Sequence, residues 1–422
     1  MMTEQEQRPR IAYLTQGDPH DKRAWSCSLY YIGQALRQHC GDVSSIGPLP
    51  LPPPRLSDRL RAKSSRLLRR RYLYETNLRA AYTCGQQAAR KLAVGVDSLS
   101  GGEVILRPDV IVAVASEAAI AYLETETPMV LVGDTTYAQL VDYFPYYSHI
   151  SGRSLREIHT IEQRVFAKVR ASIFTSEWAA RFVIDRYHAD PRHVYVVPFG
   201  VNLDSIPEPA IANARTRSET CRLLFMGVEW QRKGGDIAYQ TLLALRAKGT
   251  DAELIVCGCT PPAQLVHKHM TVIPFLNKND PRQQQQLEQL FITAHFLLLP
   301  TRADCAPNVF REASAFGLPV ITTNTGGVSG IIHEGENGYM LPLSARGDDY
   351  AALIARIYGA EEHYTRIVQS SRAAFEQRLN WDAWGRSIHD ILVQELEMGT
   401  STANYAQSSS EHRFSDIRTG TG

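Results

Sequence analysis

One stretch constrains this chain more than any other: PTRADCAPNVFREASAFGLPVITTNTGGVSGIIHEGENG, from Pro300 to Gly338. It follows Phe296-Leu297-Leu298-Leu299, an apolar run short enough for a buried parallel strand. Pro300 ends that strand, and a polar loop carries Asp304 to a helix beginning near Asn308. Gly317 and Pro319 close the helix, and Val320-Ile321-Thr322 starts the next strand. Gly326-Gly327 makes a second turn at the same edge. In an open α/β sheet, ligands bind beyond the carboxyl ends of the strands and against helix N-termini. Asp304 and Glu312 put one acid on the loop and one inside the helix. Two acids beside unblocked backbone amides suit a ligand with sugar hydroxyls and phosphates.

This pattern resembles the donor-site signature of retaining glycosyltransferases of family 4. The signature has two glutamates separated by seven residues, then a small-residue helix, G-x-P-V and a later Gly-Gly. Glu312 matches the second glutamate, while Asp304, one methylene shorter, stands at the first. The resemblance spans about residues 9–396 and is strongest after 220. It implies the GT-B fold: two Rossmann-like domains facing each other across a cleft, with a C-terminal helix crossing back to the first domain. It also implies that Glu312 holds the ribose of a nucleotide-diphosphate sugar and Asp304 the donor sugar. Ala306, Pro307, Asn308 and Val309, with Gly326 and Gly327, would line the donor pocket.

After residue 220 the alternation of strands and helices restarts with Arg222-Leu223-Leu224-Phe225-Met226, followed by GVEWQRKGGD, residues 227–236. Two adjacent cations, Arg232 and Lys233, precede two glycines at a helix entrance. Glycines admit close backbone approach and the helix start favours anions, so this is a candidate diphosphate site. The resembling family carries Gly-Arg and then Lys-Gly here. Gly227 and Lys233-Gly234 match, and Val228 occupies the arginine position, with Arg232 nearby as a substitute. Leu276 and Asn277, at the next strand end, fall where the family reads the nucleotide base. With no Asp-x-Asp at a strand end and the histidines scattered, a metal site is not expected. No cofactor is expected either, the sugar nucleotide being a co-substrate. Arg232, Lys233 and helix dipoles would neutralise the leaving diphosphate.

In the first half, Ile11-Ala12-Tyr13-Leu14 reads as a strand ending near Gly17, whose amide could approach a ligand. A helix is expected over about Leu29–His39, with Cys27-Ser28 where the family often has Gly-Gly. His20 and Asp21 either touch substrate or, the preferred reading, are solvated loop residues. The prolines at 48–54 break regular structure. Residues 55–71 then hold eight cations against one acid, with Leu56, Leu60 and Leu67 at helical spacing. Two readings stand side by side: a surface for anionic lipid or a phosphate-bearing acceptor, and a solvated helix packed inward by its leucines. Nucleic acid is not an expected partner, because no aromatic platform interleaves the charge. Strands are expected at 104–106, 109–114 and 129–132. The last leads to Asp134, which either orients an acceptor hydroxyl or, the preferred reading, caps the segment after it. A helix is expected over 161–169, and the motifs Ser176-Glu177-Trp178 and 198–202 (PFGVN) read as structural.

The expected organisation is a first domain over 1–205, a linker at 206–220 and a donor domain over 221–380. A crossover helix at 381–398 and a disordered Ser/Thr/Gly-rich tail from 399 complete it. A formal net charge of +1 gives no global drive toward nucleic acid, and seven cysteines form no paired or zinc-binding framework. No apolar run is long enough to span a bilayer and the N-terminus is polar, so a cytoplasmic protein is expected, peripheral at the inner membrane face under the first of the two readings of Arg55–Arg71. The leading reading is a metal-independent retaining glycosyltransferase acting on a glycan, lipid-linked or small-molecule hydroxyl. In such enzymes the acceptor attacks from the face the diphosphate leaves, with a phosphate oxygen as base. A catalytically silent sugar-nucleotide-binding scaffold is the alternative; an epimerase or phosphorylase of the same fold should carry different signatures.

Overall fold

A computed structural model describes residues 8–415, except 95, 98–103, 106 and 279. The expected strand at 104–106 therefore lies partly outside the described residues; Val104–Ile105 pairs antiparallel with Val96–Asp97. Two six-stranded sheets, each fully parallel, organise the rest. The first runs in the spatial order Asp42–Ser45, Arg10–Thr15, Val110–Val114, Met129–Gly133, Ala171–Phe174, Val194–Val196. The second runs Met270–Ile273, Ala252–Cys257, Cys221–Met226, Phe296–Leu299, Val320–Thr323, Gly338–Leu341. Helices cover both faces, so central strands are apolar throughout rather than alternating. Phe296, Leu297, Leu298 and Leu299 are all fully buried. Each such side chain contributes about 1.5–3 kcal/mol by leaving water.

Chain order reverses between Cys221–Met226 and Phe296–Leu299, which pair at Leu223–Phe296 and Leu224–Leu297. The loops leaving these two strands therefore diverge at a switch point, where a crevice must open. One loop carries Arg232 and Lys233, the other Asp304. Gly234 (φ 78°) lets the first loop close against the second: an added Cβ would lie 1.9 Å from the Pro300 carbonyl oxygen. The helix Gly235–Ala247 begins immediately after.

Several elements differ from expectation. The segment at 206–220 contains the helix Pro209–Asn213, and Ala212 and Arg215 are buried. Arg215 donates to the carbonyls of Phe291 and Phe316, contacts that polarity and proline content do not reveal. The helix expected at 161–169 is Gly152–Phe166, because Ser151 accepts from the Ser154 amide and starts it earlier. A 17-residue helix, Leu78–Val94, buries small residues including Ala80, Ala81, Cys84 and Ala88, which carry little apolar signal. The last helix runs Trp381–Ser415.

That helix crosses back onto the first domain. Trp384 is fully buried. Buried Glu395 accepts from Tyr195 Oη at 2.7 Å, pairs with His193 Nδ1 at 2.7 Å and lies 3.2 Å from Arg170. Gly200 permits the close crossing, since a Cβ there would stand 2.4 Å from the Trp381 amide nitrogen. The domains also meet at the cleft floor, where Tyr143 of the first reaches the loops of the second. Its hydroxyl accepts from the Asp304 amide at 2.9 Å and lies 3.1 Å from Thr325 Oγ1.

Candidate functional site

The cleft between the sheets holds a cavity of about 560 Å³ lined by both domains. Its wall carries six cations, Lys22, Arg23, Arg232, Lys233, Lys278 and Arg311, against three acids, Asp134, Asp304 and Glu312. Low-dielectric walls with an excess of positive charge concentrate anions such as a diphosphate.

At the switch point, Lys233 Nζ lies 2.6 Å from Asp304 Oδ2, with both residues buried. Thr301 Oγ1 donates to the same carboxylate oxygen at 3.1 Å. Arg232 donates to the Ala303 carbonyl at 2.9 Å and to Glu229 at 2.6 Å, and its Nη1 stands 3.8 Å from Asp304. Trp230 Nε1 donates to Asp236 at 2.7 Å, and the Arg302 amide donates to the Arg232 carbonyl at 2.7 Å, so the two loops are held as one unit. Gly227 keeps the floor open: a Cβ there would sit 2.9 Å from Lys233 Cγ.

Glu312 is buried on the helix Asn308–Ala315, whose first residues Asn308 and Val309 line the cavity together with Ala306 and Pro307 just before them. Its carboxylate is paired with Lys278 Nζ. Lys278 follows Leu276 and Asn277, which also line the cavity, so the expected base-reading segment faces Glu312 directly.

Gly17 lies away from the cavity, packed where a Cβ would meet Leu29 at 3.0 Å, and exposed His20 does not line the cavity either. After the strand Arg10–Thr15, the first domain's contribution comes instead from Lys22, Arg23 and the turn Ala24–Cys27. Trp25, Ser26 and Cys27 have φ of 46°, 53° and 72°, three consecutive left-handed residues without a glycine. Strain of this kind persists only where surroundings hold it. Asn202 Nδ2 donates to the Ser26 carbonyl at 2.7 Å, Asn308 Nδ2 to the same carbonyl at 3.3 Å, and Trp25 packs edge-on against Phe199. The backbone shape that Gly-Gly would adopt freely is thus kept by other residues, and the 198–202 motif holds it. Gly326 and Gly327 do not line the cavity; they pack beneath the Asp304 loop, where the Gly327 amide donates to the Asp304 carbonyl at 3.1 Å. A Cβ on Gly327 would lie 1.9 Å from the Cys305 carbonyl oxygen.

Asp134 does not cap the following helix. Thr136 does so, accepting from the Gln139 amide at 3.3 Å. Asp134 instead lines the cavity, partly exposed to it. Desolvation pushes its pKa up to about 6, the nearby Asp304 charge adding to the effect and Arg311 opposing it. Arg311 is 1% exposed, and its Nε and Nη1 have no hydrogen-bond partner among the described residues. Burial lowers its pKa to about 10. Arg311 is the residue that sequence reasoning missed, and the pairing of Lys278, at the expected base-reading strand end, with Glu312 was not foreseen. Arg311 beside Glu312 reads as an ordinary surface pair, and only its position among Phe310 and Ala313 hints at burial.

All seven cysteines are free. Among the described residues no group of three or more His, Cys, Asp or Glu is arranged to hold a metal ion.

Solved structures with this arrangement are the two-domain glycosyltransferases of the GT-B fold, and that is the fold of this protein. Sucrose-phosphate synthase of Thermosynechococcus elongatus superposes with a TM-score of 0.62 at 16% identity, covering 92% of this chain and 99% of its own. Anabaena HepE, solved in complex with UDP, gives 0.59 at 15% identity, covering 91% and 100%. Residues 220–360 match the family described as glycosyl transferases group 1. A curated relative, the D-inositol 3-phosphate glycosyltransferase of Xylanimonas cellulosilytica, is 24% identical over 254 residues. That alignment covers 55% of this chain and 59% of the relative, so the chain spans about three-fifths of the relative's length.

Proposed function

We propose that the protein is a retaining glycosyltransferase that moves a sugar from a nucleotide-diphosphate sugar to an acceptor hydroxyl without a metal. The observation that carries this reading is the convergence of Arg232, Lys233, Asp304 and Glu312 on one cationic cleft at the switch point of a GT-B fold. Glu312 would accept from the ribose hydroxyls, exchanging Lys278 for them. Asp304 would accept from donor-sugar hydroxyls while releasing Lys233 toward the diphosphate. Arg232 and Lys233 then face the charge that grows on the leaving oxygen, the role a preorganised cation performs best in a site of low dielectric. The acceptor oxygen forms its bond to the anomeric carbon on the face from which the bond to phosphate breaks. Its proton passes to a phosphate oxygen of the departing nucleoside diphosphate. Asp134, on the first-domain wall, orients the acceptor hydroxyl. Acceptors of this class are glycans, lipid-linked sugars or small molecules, and the site belongs on the cytoplasmic side, where sugar nucleotides are held.

The test is incubation with a panel of labelled sugar nucleotides, following release of nucleoside diphosphate and transfer or slow hydrolysis of the sugar. Turnover supports the enzyme. Tight binding with no turnover for any donor supports the silent scaffold, the reading that the shortened acid at Asp304 would favour.

A further inference from the structure

The segment 55–71 folds with its amphipathic face turned outward. Its helix, Leu56–Leu67, starts where the Arg55 amide donates to Asp58 Oδ2 at 2.9 Å. At ~100° per residue, Leu56, Leu60 and Leu67 fall within an arc of about 40°, and Asp58, Arg61 and Ser65 lie opposite. The polar face is the one against the protein. Asp58 is 3% exposed, and its carboxylate takes Arg61 at 3.2 Å and Arg79 at 3.1 Å. The leucines face outward, Leu56 78% exposed, Leu60 65%, Leu67 80% and the adjoining Leu68 76%. A helix stabilised by its own core does the reverse. The inward-packed reading of these leucines is overturned.

We infer that this face is a docking surface for an anionic lipid bilayer. Arg59, Lys63 and Arg66 line one side of the leucine arc, and Arg69 and Arg70 follow the helix, all exposed, while the segment's single acid is spent inward on Arg61 and Arg79. Four apolar side chains bordered by a row of long cationic ones match a headgroup layer: leucines enter the acyl boundary and guanidinium groups meet lipid phosphate. A second copy is disfavoured as the occupant, because it would bring the same cations against themselves. The surface also adjoins the cleft. Arg71 donates its backbone amide to the His149 carbonyl at 2.8 Å and lies 4.7 Å over the Tyr146 ring. Two residues before Tyr146, the Phe144 ring lies 5.0 Å from the Arg232 guanidinium, and Tyr143 holds the Asp304 loop. One short turn therefore joins the basic face to the cleft mouth, so an acceptor embedded in the bilayer would enter beside Arg232. The docking surface itself stands on residues 55–71 and not on the transferase reading.

Co-sedimentation of the full chain with vesicles of phosphatidylcholine alone, and of phosphatidylcholine mixed with phosphatidylserine, tests the inference without any donor or acceptor. The chain is expected to pellet with the anionic vesicles only, and to be released as salt rises, since attraction at a charged surface is screened within ~10 Å at ordinary ionic strength. Replacing Arg59, Arg66 and Arg70 by Gln should weaken partitioning on the order of a hundredfold, a factor of about five per cation. Leu60→Ser with Leu67→Ser should weaken it with all charges kept. Both variants change exposed side chains, so an unchanged thermal midpoint is expected alongside. Equal recovery in the supernatant with both vesicle types overturns the inference. So does a concentration-dependent dimer, seen by sedimentation equilibrium, that the leucine variant abolishes without any lipid dependence.

Discussion

The ammonium of Lys233 lies 2.6 Å from the carboxylate of Asp304, across the switch point of the second sheet. Both groups are buried, and removing Lys233 leaves Asp304 with only Thr301 at 3.1 Å and the more distant Arg232 at 3.8 Å, so the loss approaches that of a broken buried pair, about 3–5 kcal/mol. Lys233→Ala is therefore expected to lower the thermal midpoint. Read well below that midpoint, its turnover at saturating donor should fall ~10²-fold or more, the scale for losing one preorganised charge stabiliser. Unchanged turnover would remove Lys233 from the chemistry.

Glu312 is shielded by Lys278, which makes its role separable from folding. Glu312→Gln keeps shape and loses charge, and should weaken nucleoside-diphosphate binding roughly tenfold or more, the usual weight of a charge-assisted hydrogen bond. Calorimetry giving equal affinity for the two forms would exclude the ribose contact.

Asp134 gives a pH signature with a defined sign. Its folded pKa of about 6 stands above the ordinary 3.8, so ionisation favours the unfolded chain. The resulting destabilisation is full above pH 6 and vanishes as pH falls below 3.8. Asp134→Asn should therefore melt higher than wild type at pH 7–8, and the difference should shrink toward pH 4. Arg311 favours the ionised form, so in Arg311→Met the carboxyl titration followed by NMR should move above 6. A titration that stays put would show that Arg311 does not act on Asp134.

Tyr143 ties the domains. Tyr143→Phe keeps the ring against Trp178, 5.1 Å between centroids, but leaves the Asp304 amide without its acceptor. A loss of about 1–3 kcal/mol is expected for an unsatisfied buried donor. Denaturant unfolding that matches wild type would mean the latch carries no stability.

The second domain was the more legible half because its motifs are local. Asp304, Glu312, Lys233 and Gly234 lie on two loops and one helix, each announced by a strand before it and a glycine or proline after it. What the sequence hid was set by tertiary contact. The strained turn Trp25-Ser26-Cys27 depends on Asn202 and Asn308, far along the chain. The outward leucines at 56, 60 and 67 have the same spacing as inward ones. Arg311 looks like a surface residue until the first domain closes over it. The helix Leu78–Val94 is held by alanines, whose small side chains give a periodicity too weak to read.

The central claim is that this cleft transfers sugar from a nucleotide-diphosphate donor, and single-turnover assay with a panel of labelled donors measures that most directly. For at least one donor, wild type should release nucleoside diphosphate with transfer or slow hydrolysis of the sugar, and Lys233→Ala should bind that donor while releasing ~10²-fold more slowly. Donor binding at normal affinity with no release from wild type, for every member of the panel, would contradict it.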